Sequence, residues 1–328
     1  MSRFATIIST GLYVPPIERS NAAMKQRFGE VIDKFEAPSG IKTRWYAPDD
    51  WATSDLAVEA ARDALKDAGL QATDLDMIIL GTDSPDYITP ATSVVVQHKL
   101  GAEKAGTFDV GCACASFPTG LNIAAGMLAT NPHMKYVMVI GAYMMHKLAD
   151  VENDVMTFFY GDGAGAAILT VSDKPGFVSS TFFADGSYHQ HWGIYAGGTY
   201  EPVTPEAIAA GRHQVKLLKA FPAEVNNEGW PARMRELAAN GNFDLQDVDL
   251  ALFTQVRLNS IQIVMETLGL PIEKTHWIMD KWGYTGSACI PMVLADARKQ
   301  GKIKSGDLVT LVGSGVGYNQ AGSAFIMP

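Results

Sequence analysis

The chain has 328 residues, of which 47% are hydrophobic and 19% charged, and its formal net charge at pH 7 is −9. This length allows one large domain or two medium ones with a sizeable core. The acidic balance argues against a nucleic-acid partner, which would need a basic face. No apolar run follows a basic stretch at the start, and no segment approaches the ~18 apolar residues of a membrane span. We therefore expect a cytoplasmic protein with no signal peptide and no membrane contact.

Cysteine is scarce, with Cys112, Cys114 and Cys289 the three examples. An odd, low number in a chain this long is not a disulfide framework. The Cys-x-Cys spacing suggests a metal site only weakly, because the third cysteine is far away and no histidine spacing supports one. The expectation is therefore no metal and no cofactor.

Short apolar runs alternate with amphipathic helical stretches along the chain, which indicates an α/β protein. Ser54 is predicted to cap the first of these helices. In chain order, the segments are a strand at 4–10, a helix at 54–68, a strand at 77–81, a helix at 92–100, strands at 107–110, 136–140 and 166–169, a helix at 259–268 and a strand at 308–312.

Two stretches of the chain resemble each other in order. DLDMIILGTDSPD begins at residue 74 and DVDLALFTQVRLN at residue 247, and each contains Asp-x-Asp, a buried strand and then a helix. They suggest two similar halves, at 1–175 and 176–328, although any two strand–helix units can look this alike. Residues 184–206 are rich in Gly, Tyr and His, and we predict a long loop there that forms a cleft wall.

The segment TFDVGCACASFPTGLNIAAGML, at 107–128, combines a strand, a small-residue turn and a helix. Cys114 lies where the strand meets the helix, and N–H groups at a helix start favour a thiolate. Ala113 and Ala115 leave room for a substrate, so Cys114 is a candidate nucleophile that would form a thioester. The alternative is a small buried cysteine before a helix, and Cys112 is predicted to pack inside the turn.

Two glycine-rich segments follow. YGDGAGAAIL, at 160–169, lacks the Lys-Ser/Thr ending of a phosphate loop and leads into a strand, so Asp162 is predicted to hold a tight turn. Near the end, Gly313, Gly315 and Gly317 lie between two strands. Such glycines let backbone N–H groups reach a substrate carbonyl, as an oxyanion hole requires, although a plain hairpin turn would also use them.

Together these segments resemble ketoacyl-acyl carrier protein synthase III, of the thiolase superfamily, essentially from end to end. The resemblance is carried, in the family's order, by SGIKTRW, GTDSPDYITPATSVVVQHKLG, FDVGCACASF, GDGAGAAIL and SGDLVTLVGSGVG. The family's catalytic cysteine is followed by Ala, then Gly or Ser, then Phe. That order selects Cys114 over Cys112.

The resemblance implies a thiolase fold, with duplicated βαβαβαββ halves in five layers (α-β-α-β-α), and a homodimer. It also implies a ping-pong acyltransferase of fatty-acid or secondary-metabolite synthesis. Cys114 would accept an acyl group from a coenzyme A or acyl carrier protein thioester, and malonyl-acyl carrier protein would supply the second substrate by decarboxylation. The backbone of Cys114, Gly315, Val316 and Gly317 would bind the oxyanion.

The departures from the family concern both substrates. The family's catalytic His and Asn positions are Thr254 and Tyr284 here. Thr254 can still donate one hydrogen bond, whereas Tyr284 would donate one or only fill space. The family's Trp and Arg that clamp the adenine of coenzyme A are Lys34 and Asp154, and a nearby Arg is Pro38. A carrier-protein donor, or coenzyme A held differently, is therefore expected.

Two classes of function remain open. One is an acyltransferase or condensing enzyme that uses Cys114 without the His/Asn pair, with His146, His189 or His191 as a surrogate base. Its second substrate would be an alcohol or amine, which gives an ester or amide, or an acyl thioester condensed without decarboxylation. The other is a non-catalytic partner subunit of a heterodimeric synthase. An ordinary chain-initiating synthase would need the missing pair.

Overall fold

The computed structural model describes residues 3–328. The strands are β1 (Phe4–Tyr13), β2 (Ile17–Ser20), β3 (Thr43–Tyr46), β4 (Met77–Gly81), β5 (Gly106–Val110), β6 (Tyr136–Tyr143), β7 (Gly163–Ser172), β8 (Phe177–Ala184), β9 (Trp192–Gly193), β10 (Lys216–Leu217), β11 (Leu250–Phe253), β12 (Leu308–Gly315) and β13 (Asn319–Ile326). The helices are α1 (Asn21–Phe28), α2 (Val31–Ser39), α3 (Thr53–Ala68), α4 (Thr92–Leu100), α5 (Ser116–Thr130), α6 (Pro205–Ala209), α7 (Glu224–Asn227), α8 (Gly229–Gly241), α9 (Leu258–Leu268), α10 (Met279–Trp282) and α11 (Cys289–Lys299).

Two mixed sheets form the centre of the fold and repeat one strand order. The first runs β1-β7-β6-β4-β5, and the second runs β8-β13-β12-β11. In the first, β4 is parallel to β5 and β6, and in the second β11 is parallel to β12. An isolated parallel bridge between Ala251 and Thr275 lies beside β11, where the first sheet has β5. The duplication thus extends to strand order, while the boundary at 175/176 stays a prediction.

The helices separate the two sheets and cover their outer faces. Helices α3 and α4 pack on the outside of the first sheet, α5 and α11 lie between the sheets, and α8 packs on the second sheet with α9 beside it. Successive β4 residues point to opposite layers, since Ile78 and Leu80 join the outer core and Ile79 the central core. Burial on both faces explains why β4 is a continuous apolar run, as parallel strands require. These layers are the α-β-α-β-α order that the resemblance implies.

The predicted strands and helices are all found, most with ends extended by one or more residues. The prediction that Ser54 caps this helix is wrong. Helix α3 already begins at Thr53, and the Ser54 N–H donates to Asp86 Oδ1 at 2.9 Å. The predicted loop at 184–206 contains β9 and part of a β9–β10 ladder, as well as the start of α6. Across the described residues, helices that are both long and apolar enough to cross a membrane are absent.

Candidate active site

A cavity of about 230 Å³ lies where the two sheets meet. From the first sheet, its wall contains Asp83 and Cys114, which follow the neighbouring strands β4 and β5, and Tyr143, which is the last residue of β6 on the other side of β4. From the second sheet it contains Thr254, directly after β11, and Gly315, at the end of β12. The carboxyl ends of parallel strands are where α/β folds gather functional side chains. The structure therefore brings residues from distant parts of the sequence into one site.

Cys114 lies on a single turn of 3₁₀ helix, Ala113–Ala115, between β5 and α5. Ala113 has φ of 46°, a left-handed backbone that non-glycine residues seldom adopt. The Ser116 hydroxyl fixes the turn, since it donates to Val110 O at 3.0 Å and accepts from Cys112 N at 2.9 Å. This sharp turn directs the Cys114 thiol into the cavity while only 2% of the residue is exposed.

The surroundings of Cys114 disfavour its ionised form. Burial raises the pKa of the Cys114 thiol well above its ordinary value, and the Asp83 carboxylate adds to the increase. The Tyr284 hydroxyl contacts the Cys114 Sγ and opposes the shift. The sequence predicted a thiolate because Cys114 precedes a helix. Burial has the larger effect on the pKa, so the thiol keeps its proton at neutral pH.

Thr254 and Tyr284 both line the cavity. The Thr254 hydroxyl accepts a bond from Ser314 N at 2.9 Å, which leaves its own proton free to be donated. Tyr284 is fixed by its backbone, because its N–H donates to Phe159 O at 2.8 Å and its carbonyl accepts from Gly161 N at 2.9 Å. Burial raises the pKa of Tyr284 well above its ordinary value, so its hydroxyl is a neutral hydrogen-bond donor beside the thiol.

The end of β12 presses directly on the cysteine turn. A Cβ atom on Gly315 would lie 2.0 Å from the carbonyl oxygen of Cys112. Only glycine, which has no Cβ, fits at this position. Of the residues assigned to an oxyanion site in the sequence, Gly315 and Val316 line the cavity and Gly317 does not, and their role stays a prediction. The glycine cluster thus lets two backbone segments meet at Cys114.

The three histidines proposed as surrogate bases all lie outside the cavity wall. His146 Nδ1 pairs with the fully buried Asp162, and its ring stacks on Tyr46 at 4.6 Å between centroids. His189 is exposed, and its Nδ1 is 3.1 Å from Gly186 O. His191 is buried behind the wall, 5.1 Å from the ring of Phe221.

Asp162 is likewise a buried partner of other segments. Its carboxylate accepts from Ala47 N at 2.9 Å and pairs with His146, so its prediction as the holder of a tight turn is wrong. Burial raises the pKa of Asp162, and the bond from His146 opposes that increase. Asp162, just before β7, thereby links Ala47, just after β3, to His146, which follows β6.

Replacing His146 by alanine is expected to lower the free energy of unfolding by about 3 kcal/mol, because it leaves the Asp162 carboxylate buried without its partner. Acyl loading per folded molecule is expected to stay unchanged, since His146 does not reach the cavity. Urea unfolding and a loading assay measure the two quantities. His189→Ala, on the surface, is the matched control and should change neither. A loading rate that falls with His146→Ala alone would restore this histidine as a base.

Sequence comparisons show the family of this chain. The sequence model of 3-oxoacyl-(acyl-carrier-protein) synthase III matches residues 108–186, and that of its C-terminal part matches 237–326. The β-ketoacyl-(acyl-carrier-protein) synthase III of Syntrophomonas wolfei is 34% identical over 317 residues, which cover 96% of this chain and 95% of the relative. The chain belongs to the 3-oxoacyl-(acyl-carrier-protein) synthase III family.

Solved structures of related proteins superpose on nearly the whole of this synthase III family member. The 3-oxoacyl-(acyl-carrier-protein) synthase III of Aquifex aeolicus superposes with a TM-score of 0.87 at 27% identity, covering 98% of this chain and 99% of that one. A priming β-ketosynthase of the R1128 polyketide pathway has a TM-score of 0.88 at 26% identity, covering 100% and 97%. The thiolase fold is therefore confirmed, and the chain is an acyltransferase of the condensing class.

Among the cavity residues of this synthase III family member that the sequence did not indicate, three carry a charge or an unpaired hydroxyl. They are Asp83, Tyr143 and Arg257. Within residues 3–328, Asp83 is the only carboxylate in the cavity wall and Arg257 the only cation, and the buried Tyr143 hydroxyl has no hydrogen-bond partner. The sequence shows that Asp83 comes two residues after the strand predicted at 77–81, but only the sheet order places that strand beside β5 and brings Asp83 to the cavity of Cys114.

Proposed function

We propose that Cys114 takes an acyl group from an acyl thioester and passes it to a second substrate in a ping-pong reaction. The observation that carries this proposal is the position of the thiol. Cys114 is the cysteine in the cavity wall, on a constrained strand–helix turn, in contact with a neutral hydroxyl donor. A thiol in this setting suits a nucleophile that forms a thioester. The names of the relatives, synthases that act with acyl carrier protein, favour a thioester donor.

We further propose that Thr254 and Tyr284 occupy the positions of the family's catalytic His and Asn. Two observations support this assignment: Thr254 comes directly after β11, and the Tyr284 hydroxyl contacts the Cys114 Sγ. Histidine is absent from the cavity wall among residues 3–328. Since losing one such donor to a substrate oxyanion costs about 3–4 kcal/mol, malonyl decarboxylation is disfavoured. Transfer to a nucleophile or to a second acyl thioester, without release of carbon dioxide, fits the two hydroxyls better.

The cavity wall supports an acyl chain as the transferred group. Apolar side chains form most of the wall away from Cys114, among them Met156, Phe159, Trp192, Leu217, Phe221, Val225 and Val256. Lys34 is exposed on α2, and the Asp154 side chain accepts from Met156 N at 2.9 Å, so neither offers an aromatic face to an adenine. We therefore propose an acyl carrier protein as the donor, or coenzyme A held by other contacts.

We also propose a homodimer. Strand β5 forms an edge of the first sheet, and the Asp109 carboxylate on it accepts bonds from Thr92 N and Ser93 N at 2.7 and 2.8 Å. Just before that contact, Ile88 is 80% exposed and Tyr87 58%. An exposed apolar segment beside an open strand edge favours burial against a second copy. Sedimentation equilibrium measures the mass in solution.

Intact-mass spectrometry of the purified protein tests the proposed function. Wild-type protein is incubated with acyl thioesters of several chain lengths, carried on coenzyme A or on acyl carrier protein. We expect one acyl group per chain, with carrier-protein donors loading faster. The loaded protein is then mixed with an amine, an alcohol, an acyl thioester or radiolabelled malonyl thioester. The absence of loading by any donor would contradict the proposal, and rapid release of labelled carbon dioxide would contradict the roles given to Thr254 and Tyr284.

A further inference from the structure

Asp83 is the one acidic side chain of the cavity wall among residues 3–328, and its charge acts on the Cys114 thiol in the same wall. Strands β4 and β5 are parallel, with Gly81 opposite Val110. Asp83 follows Gly81 by two residues, and Cys114 follows Val110 by four. Both side chains therefore leave the same edge of the sheet and line the same cavity. A carboxylate here lines the cavity that a thioester on Cys114 would enter.

The carboxyl group of Asp83 is positioned by a hydrogen bond from Ser287 and by one from its own backbone N–H. The hydroxyl of the fully buried Ser287 donates to Asp83 Oδ1, and no donor from another described residue reaches Oδ2. The backbone next to Asp83 is also fixed, because the Ser84 hydroxyl accepts from Met144 N at 2.8 Å. A rigidly held carboxyl group thus lines the cavity, where a ligand or a proton can reach it.

The groups that face Asp83 come from each element packed around it. They are Cys114 after β5, Tyr143 at the end of β6, Tyr160 before β7 and Cys289 at the start of α11, while Tyr284 and the Arg257 guanidinium line the same cavity. Burial raises the pKa of the thiols and phenols, so these groups stay neutral at physiological pH. Burial also raises the pKa of Asp83 to about 6, against the bond from Ser287. Asp83 therefore changes its protonation near neutral pH, while its neighbours do not.

We propose that Asp83 is the general base and acid of the cavity, which moves the proton of the Cys114 thiol during acyl transfer. This inference rests on the proposed acyl transfer to Cys114. In the first half-reaction, Asp83 accepts the thiol proton as the sulfur attacks the acyl carbon. The new carbon–sulfur bond to Cys114 forms, the bond to the donor sulfur breaks, and Asp83 returns the proton to the departing thiolate.

The second half-reaction reverses these roles. Asp83 accepts the proton of the incoming nucleophile as that nucleophile bonds to the acyl carbon. The bond between the acyl carbon and Cys114 breaks, and Asp83 gives the proton to the Cys114 sulfur. Atoms and charge balance without an oxidant, a metal or the loss of carbon dioxide. The cycle thus supplies a base in a cavity whose described lining contains no histidine.

The test measures the rate of acyl loading against pH in wild type, Asp83→Asn and Ser287→Ala. Asparagine keeps the size of the side chain and can still accept the Ser287 bond. We expect the wild-type rate to fall as the pH drops through about 6, because Asp83 becomes protonated there. Asp83→Asn should load about 100-fold more slowly at pH 7 and lose this step, within the usual range for a general base. Ser287→Ala should move the step to higher pH, since its bond lowers the pKa of Asp83.

Glu103→Gln, which changes an exposed acid elsewhere on the surface, is the control and should match wild type at every pH. Thermal unfolding of each variant confirms that it is folded. An Asp83→Asn protein that loads at the wild-type rate with the same pH step would overturn the role of Asp83 and leave acyl transfer to Cys114 intact. A wild-type protein that no donor loads would instead contradict the proposed function.

Discussion

Replacing Cys114 by alanine is expected to abolish acyl loading, with a loss of at least ~10⁴-fold, because the variant has no nucleophile in the cavity. The other two thiols cannot substitute for it. Cys289 is fully buried, and Cys112 is half-buried in the turn but outside the cavity wall. Since the Cys114 side chain is small, the variant is expected to fold normally. Intact-mass spectrometry after incubation with a donor thioester measures the loss.

Cys112→Ala is the matched control for this prediction, because it changes the same residue type two positions away on the same turn. It is expected to load with wild-type stoichiometry, and peptide mapping should place the acyl group on Cys114. Cys289→Ala should load too, although the small cavity left in the core should cost about 1–2 kcal/mol of stability. An acyl group that persists in Cys114→Ala, or that maps to Cys112, would show that the nucleophile has been misassigned.

The local parts of the site were predictable from the sequence. The period of apolar residues changes within residues 107–128, so a strand, a turn and a helix could be placed, with Cys114 at the junction. The small residues around Cys114 were interpreted as room for a substrate, and in the structure another segment of the chain also approaches there. Gly315 supplies that approach, and the glycine cluster was predicted as part of the same site. Where side-chain size and spacing decide the structure locally, the sequence was sufficient.

Contacts between distant segments were not predictable in this way. Tyr284 reaches the Cys114 Sγ across 170 positions of the chain, and only the meeting of the two sheets brings them together. The errors at Ser54 and Asp162 have the same cause, since Asp86 and His146 bind these two residues from other elements. Asp83 was overlooked because its role depends on which strand lies beside β4. A sequence does not display the order of strands in a sheet.

A methyl group added at Gly315 is expected to damage both stability and activity. In Gly315→Ala, the new Cβ would lie 2.0 Å from the Cys112 carbonyl oxygen, which already accepts a bond from Ala115 N at 3.0 Å. Because the Cβ is fixed to the paired strand β12 and the oxygen belongs to a hydrogen-bonded turn, the cysteine turn must move away from β12. We expect the free energy of unfolding to fall by about 3 kcal/mol, at the upper end for overpacking. A shift of about 1 Å at Cys114 should slow acyl loading about 100-fold.

Gly126→Ala separates this effect from the general cost of replacing glycine. Gly126 is an exposed residue of α5 with open space around its Cα, so alanine there should raise the stability by about 0.5–1 kcal/mol and leave loading unchanged. Urea unfolding and loading assays on the two variants give the comparison. If Gly315→Ala loads at the wild-type rate, the contact between β12 and the cysteine turn does not position the thiol. If it is destabilised and slow, the end of the second sheet holds the nucleophile of the first, and the fold requires both sheets to make one site.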